Sequence, residues 1–139
     1  MMNLNEEKEI KRGDIFYISI PSDINDPHKQ TGCRPCIIIS NDKNNKHCSR
    51  VQYIPLTSRD KKYIPTHAKL KSTYCLPKES IALCECIDGI NKSFIKEKIG
   101  TVSEADMFNI KKATDIQLGD AEDKNVKFVV RNTQELLFA

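Results

Sequence analysis

The chain has no tryptophan, and Phe and Tyr together make up only 6% of its 139 residues. Aromatics this sparse exclude a broad platform on which successive bases would stack. Five glycines and six prolines are too few for a collagen-like or low-complexity chain. No apolar run approaches the roughly 20 residues that span a bilayer as a helix. Met1 to Arg12 is polar and charged, without the apolar core of a secretory signal, so a cytoplasmic protein is expected. The sequence contains neither an internal repeat nor a biased segment. With 39% hydrophobic and 29% charged residues, the expectation is one globular domain burying roughly two-thirds of its unfolded surface.

Cysteine is comparatively abundant. Cys33 and Cys36 form a C-x-x-C, Cys84 and Cys86 a C-x-C, and Cys48 and Cys75 stand alone. A zinc ribbon needs two knuckles that each aim two sulfurs at one metal, whereas Cys36 opens an apolar strand and Cys84 and Cys86 share one parity of another. A redox C-x-x-C would precede a helix in a βαβ unit, which is missing. The expectation is reduced, partly buried thiols acting as small hydrophobes, with no metal site and no cofactor.

The formal charge of +3 hides a split. Between His28 and Lys78 there are eleven Lys and Arg against Asp42 and Asp60, a net +9, which leaves −6 on the rest of the chain. A local basic surface of this kind is suited to phosphates.

Short strands dominate the pattern. Asp14–Ile20, Pro35–Ser40, Arg50–Thr57, Tyr63–Leu70 and Ser80–Ile87 read as strands, with Cys36-Ile37-Ile38-Ile39 apolar enough to be buried on both faces. A long polar loop, Pro21 to Gly32, separates the first two, and Asn41–Lys46 reads as a turn. One helix is expected, capped by Ser103 with Asp106 three residues on, striped by Met107, Ile110, Ala113 and the Ile116/Leu118 pair, and stopped at Gly119. Val126–Arg131 and Leu136–Phe138 read as further short strands. The fold class expected is mainly β, a small antiparallel barrel with one helix packed on it.

The segment Gln30-Thr31-Gly32-Cys33-Arg34-Pro35 lies where the long loop meets a buried strand. Arg34 offers a planar fork of donors for phosphate oxygens, Gly32 permits close approach to a ligand, and Pro35 stiffens the strand mouth. Thr57-Ser58-Arg59 ends another strand, and Thr57 meets Arg34 if the two strands are neighbours.

These residues resemble the MazF/PemK-type toxins of bacterial toxin–antitoxin pairs. The likeness runs through Lys11-Arg12-Gly13-Asp14-Ile15-Phe16, Gln30-x-Gly32-x-Arg34-Pro35, Ile54-Pro55-Leu56-Thr57-Ser58, Ile64-Pro65-Thr66-His67, Ser80-Ile81-Ala82-Leu83-Cys84-Glu85 and the final Leu118-Gly119. It implies an SH3-like β-barrel and a homodimer. The implied activity is that of a metal-independent endoribonuclease cutting single-stranded RNA to 2′,3′-cyclic phosphate and 5′-OH ends, blocked by an acidic antitoxin. It places Arg34 and Thr57 at the catalytic positions and Gln30, Gly32, Ser58, His67 and Glu85 along the RNA path. The domain expected spans 10–119, after a lead-in of 1–9 and before an extension of 120–139 that would add an edge strand. A non-enzymatic barrel toxin acting on DNA gyrase, as CcdB does, is the alternative. The sequence departs from the family where Pro27-His28-Lys29 replaces the usual Gly-Ser-Glu, and where Cys86 and Asp88 stand for Gln and Arg.

Overall fold

The computed structural model describes residues 8–59 and 62–122. In them the chain runs β1 (Asp14–Ile20), β2 (Gly32–Ile38), α1 (Asp42–His47), β3 (Arg50–Thr57), β4 (His67–Lys69), β5 (Ile81–Leu83), β6 (Asp88–Asn91), β7 (Ile95–Thr101) and α2 (Glu104–Gln117). All pairings are antiparallel, in the order β4-β5-β3-β2-β1-β7, with β6 also paired to β3. The end strands β4 and β7 do not pair with each other. The expected barrel is therefore an open antiparallel sheet backed by the expected C-terminal helix. No helix among the described residues is long and apolar enough to cross a membrane.

Alternation along the strands explains why the sheet's central strands bury residues on both faces. Ile15, Ile37 and Ile54 stand opposite one another across β1, β2 and β3, and with Leu56 they pack against Ile110 and Ala113 of α2. The opposite parity carries Phe16, Ile18, Ile20, Cys36, Ile38, Val51 and Tyr53, joined by Ile90 and Ile95. Each fully buried aliphatic side chain of this kind stabilises the fold by roughly 1.5–3 kcal/mol.

Pro55 decides where β3's outer partner breaks. The Gln52 carbonyl accepts from the Ile39 N–H (3.0 Å), so even-numbered residues of β3 face β2 and odd-numbered ones, Pro55 included, face the other edge. Pro55 has no N–H to offer there. β6 pairs along Arg50–Tyr53 and β5 along Leu56–Thr57, and a 3₁₀ turn, Cys84–Cys86, spans the gap. The strand expected to run from Ser80 to Ile87 thus ends at Leu83, and Cys84 and Cys86 do not share a strand face.

Other expectations are corrected similarly. Asn41–Lys46 is not a turn, because Asn41 caps the Asn44 N–H (2.8 Å) and buried Asn45 donates to the Ser40 carbonyl (2.8 Å), which winds Asp42–His47 into a helix. Within Tyr63–Leu70 only His67–Lys69 is strand. Ile64-Pro65-Thr66-His67 is a turn closed by His67 N–H on the Ile64 carbonyl (2.9 Å), with proline at its favoured second position. In α2 the cap is as expected, Ser103 accepting from the Asp106 N–H (3.1 Å), and Gly119 takes the left-handed stop (φ 82°). Leu118, however, is exposed. The strands expected at Val126–Arg131 and Leu136–Phe138 lie outside the described residues.

Candidate active-site cleft

Gly32 opens β2 at φ 85°, a conformation that suits glycine alone. An added Cβ would meet nothing within 4 Å, so glycine is required here by the backbone rather than by crowding. Two residues on, the half-buried Arg34 donates Nε–H to the Thr31 carbonyl (2.6 Å). That bond fixes the plane of the guanidinium and leaves its terminal NH₂ groups for a ligand. Thr57 ends β3 and is 6% exposed, and its Oγ1 accepts from the Arg59 N–H (3.2 Å), which leaves the hydroxyl proton to be donated. Because β2 and β3 are neighbours, Arg34 and Thr57 line one cleft of about 390 Å³, with Gly32, Ser58, Arg59 and Lys78.

The charge of this cleft is one-sided. Arg34, Arg59 and Lys78 line it, and among the described residues no carboxylate does. Glu79, beside Lys78, reaches away to Lys69 (3.5 Å). Three cations facing one concavity attract a phosphate and stabilise any charge that develops on it.

The remaining candidates occupy adjoining hollows. His67 lines a cavity of about 540 Å³ that shares Ser58, Arg59, Lys78 and Ser80 with the first. Gln30 and Glu85 line a third, of about 230 Å³, with Lys29, Tyr53 and Asp88. A hydrogen bond connects the last two hollows: His67 Nε2 lies 2.6 Å from Glu85 Oε2. His67 Nδ1 and Glu85 Oε1 are buried without a partner. The Arg34 cleft therefore contains no histidine. The two departures from the family pattern meet here, since Lys29 Nζ lies 3.9 Å from Asp88 Oδ2, a cation on the loop facing an anion on β6.

Arg59 belongs to the Thr57-Ser58-Arg59 cluster and Ser80 opens one block of the likeness, whereas Lys78 was pointed to only by the basic window that contains it. None of the six cysteines forms a disulfide, and among the described residues no group of three or more His, Cys, Asp or Glu could hold a metal ion. Burial drives the Cys36 thiol far above its ordinary range and pushes Cys84 up to about 11, partly offset by a hydrogen bond with Thr114. Both stay protonated near neutral pH, so neither is a thiolate nucleophile.

Residues 11–118 match the family model of PemK-like, MazF-like toxins of type II toxin–antitoxin systems. Two staphylococcal proteins named Endoribonuclease MazF, from Staphylococcus saprophyticus and Staphylococcus epidermidis, are each 38% identical over 112 residues, covering 79% of this chain and 92% of theirs. MazF from Deinococcus radiodurans superposes with a TM-score of 0.70 at 20% identity, covering 81% of this chain and 99% of that one. A mycobacterial endoribonuclease in complex with its cognate antitoxin gives 0.65 at 24% identity, over 82% and 99%. The two structures speak for the fold. The family model and the 38% relatives carry the conclusion that this chain belongs to the PemK-like, MazF-like toxins of type II toxin–antitoxin systems.

Proposed function

We infer that this protein is an endoribonuclease toxin that cleaves single-stranded RNA at the Arg34/Thr57 cleft. The observation that carries the site is the convergence of Arg34, Arg59, Lys78 and the Thr57 hydroxyl on one hollow that no carboxylate among the described residues lines. RNA brings its own nucleophile. The 2′-oxygen attacks the adjacent phosphorus as its proton passes to solvent, the P–O5′ bond breaks, and the departing O5′ takes up a proton. The products are a 2′,3′-cyclic phosphate and a 5′-OH. The protein's task is alignment and charge stabilisation. Arg34 brings a guanidinium, a group that holds its proton in proteins and is therefore suited to stabilising the pentavalent phosphate rather than to shuttling a proton. Thr57 is placed to donate to a phosphate oxygen. Gln30 and Glu85 in the third hollow, with His67 held by Glu85, would contact the flanking nucleotides. A cognate antitoxin with an acidic segment fits the same basic surface, and a homodimer is the expected assembly. The gyrase-poisoning alternative is not favoured, because the curated relatives are endoribonucleases.

Incubation of the purified protein with mixed single-stranded RNAs in EDTA tests this reading. Discrete fragments with cyclic phosphate ends are expected, at a rate that falls as salt rises. RNA left intact across diverse sequences would overturn it.

Lys29 and Asp88 would tune which sequences are cut, since their pair borders the hollow holding Gln30 and Glu85. Both side chains are partly exposed, so the pair contributes little stability, of order 0.5 kcal/mol. Lys29→Glu sets like charges against each other at this rim and is expected to redistribute cleavage among competing sites by about 3- to 10-fold, as a shift of roughly 1 kcal/mol would. The exchange Lys29→Glu/Asp88→Lys should restore the wild-type distribution, read by sequencing RNA ends. An unchanged distribution in the single variant would remove Lys29 from specificity.

A further inference from the structure

We propose that Lys78 is a second phosphate-binding cation of the cleavage site, held at the cleft by a buried latch between its loop and helix α2. The proposal rests on the endoribonuclease reading above and adds a residue and a positioning device to it.

Lys78 is the residue whose place is hardest to explain otherwise. It lines both the Arg34/Thr57 cleft and the adjoining His67 cavity, which puts it where the backbone of a bound strand would pass from one to the other. Its neighbour Glu79 is engaged by Lys69 (3.5 Å). Among the described residues, the Lys78 ammonium forms no ion pair. An ammonium that lines the same cleft as Arg34, with no carboxylate among that cleft's described residues, is an arrangement that calls for an anionic ligand.

The loop joining β4 to β5 is built more rigidly than a surface hairpin requires. Tyr74 and Cys75 take successive left-handed conformations (φ 50° and 65°), which non-glycine residues rarely adopt and which persist where the surroundings impose them. The surroundings here are explicit. Asp106 of α2 is fully buried; its Oδ1 accepts from the Lys71 N–H (2.9 Å) and its Oδ2 from the Tyr74 hydroxyl (2.5 Å). The Tyr74 oxygen in turn accepts from the Ser103 N–H (2.8 Å). Beyond the latch, Leu76 is anchored in the core and Ser80 is buried. Between these anchors Pro77 has a fixed φ, and Ser80 Oγ donates to the Lys78 carbonyl (3.4 Å). The backbone of Lys78 is therefore set from both sides. Tyr74 and Asp106 touch no substrate and act as positioning residues.

Single-turnover cleavage of a defined RNA is measured for wild type, Lys78→Met, Lys78→Arg, Tyr74→Phe, Lys78→Met/Tyr74→Phe, and, as a surface-charge control, Lys111→Met, an exposed α2 position that lines none of the three hollows. Binding of the uncleavable 2′-deoxy analogue is measured against salt in parallel. Lys78→Met is expected to lower the cleavage rate about 100-fold, the scale of one lost transition-state donor. It should leave the melting temperature unchanged and reduce the salt slope of binding by about one. Lys78→Arg should stay within about tenfold of wild type, by keeping the charge without the ammonium's geometry. Tyr74→Phe should slow the reaction a few-fold, and that loss should vanish in the Lys78→Met background. A Lys78→Met enzyme with wild-type rate and slope overturns the proposal, as does an equal loss in Lys111→Met. A Tyr74→Phe loss that persists undiminished without Lys78 overturns the latch. A wild type that binds the analogue yet cuts no RNA fails the endoribonuclease reading instead, with the salt slopes still deciding whether Lys78 holds phosphate.

Discussion

Replacing Arg34 with alanine is expected to lower the single-turnover rate of RNA cleavage by about 1,000-fold or more, the effect of removing a guanidinium aimed at a transferring phosphoryl group. The protein should remain folded. Arg34 is half-buried and its side chain makes a single hydrogen bond, to the Thr31 carbonyl, so its removal uncovers no buried charge. The melting temperature should stay within about 2 °C of wild type, as for a surface change of under 0.5 kcal/mol. Arg34→Lys keeps the charge but loses the planar fork, and should recover part of the rate, about 10-fold over alanine. The measurement is the rate on an oligonucleotide carrying the preferred site, with circular dichroism melting alongside. An alanine variant that retains more than a tenth of the wild-type rate would move the reaction out of this cleft.

What the sequence disclosed and what it concealed follow from the range of the interactions. Ile15, Ile37 and Ile54 could be read as core because alternation is a local property of a strand. The Ser103 cap and Gly119 stop could be read because each acts within a turn of its own helix. The convergence of Arg34 and Thr57 needed only that two strands be adjacent. β6 and β7 went unread because β6 is half polar, Asp-Gly-Ile-Asn, and because β7 meets β1 through two register shifts that break the period-two signal. The open sheet could not be told from a closed barrel, since closure depends on whether β4 and β7 meet, a contact between segments far apart in the chain. His67 and Glu85 carried no local sign of their hydrogen bond, eighteen positions apart. The same holds for the pairing of Lys29 with Asp88, where two departures visible separately proved to be one contact.

Asp106 is the clearest case of a residue whose meaning changed with the fold, and its loss should be the most destabilising of the substitutions considered. In the sequence it is the third residue of a helix start, suited to the positive end of the helix dipole. In the structure its carboxylate is fully buried and accepts from the Lys71 N–H and the Tyr74 hydroxyl. Alanine at this position leaves both donors short of an acceptor, at roughly 1–3 kcal/mol for each buried group left unsatisfied. The Tyr74 hydroxyl recovers some of this, because Ser103 Oγ lies 3.0 Å away. The expected loss for Asp106→Ala is about 3 kcal/mol, a fall in melting temperature of about 10 °C for a domain of this size. Asp106→Asn supplies an oxygen for Lys71 N–H and should lose only about 1 kcal/mol. Thermal and urea unfolding of the three proteins would check the order. If Asp106→Ala melted with wild type, the left-handed turn at Tyr74 and Cys75 would have to be held by Leu76 and the core alone, and the helix would have no part in shaping the loop that borders the cleft.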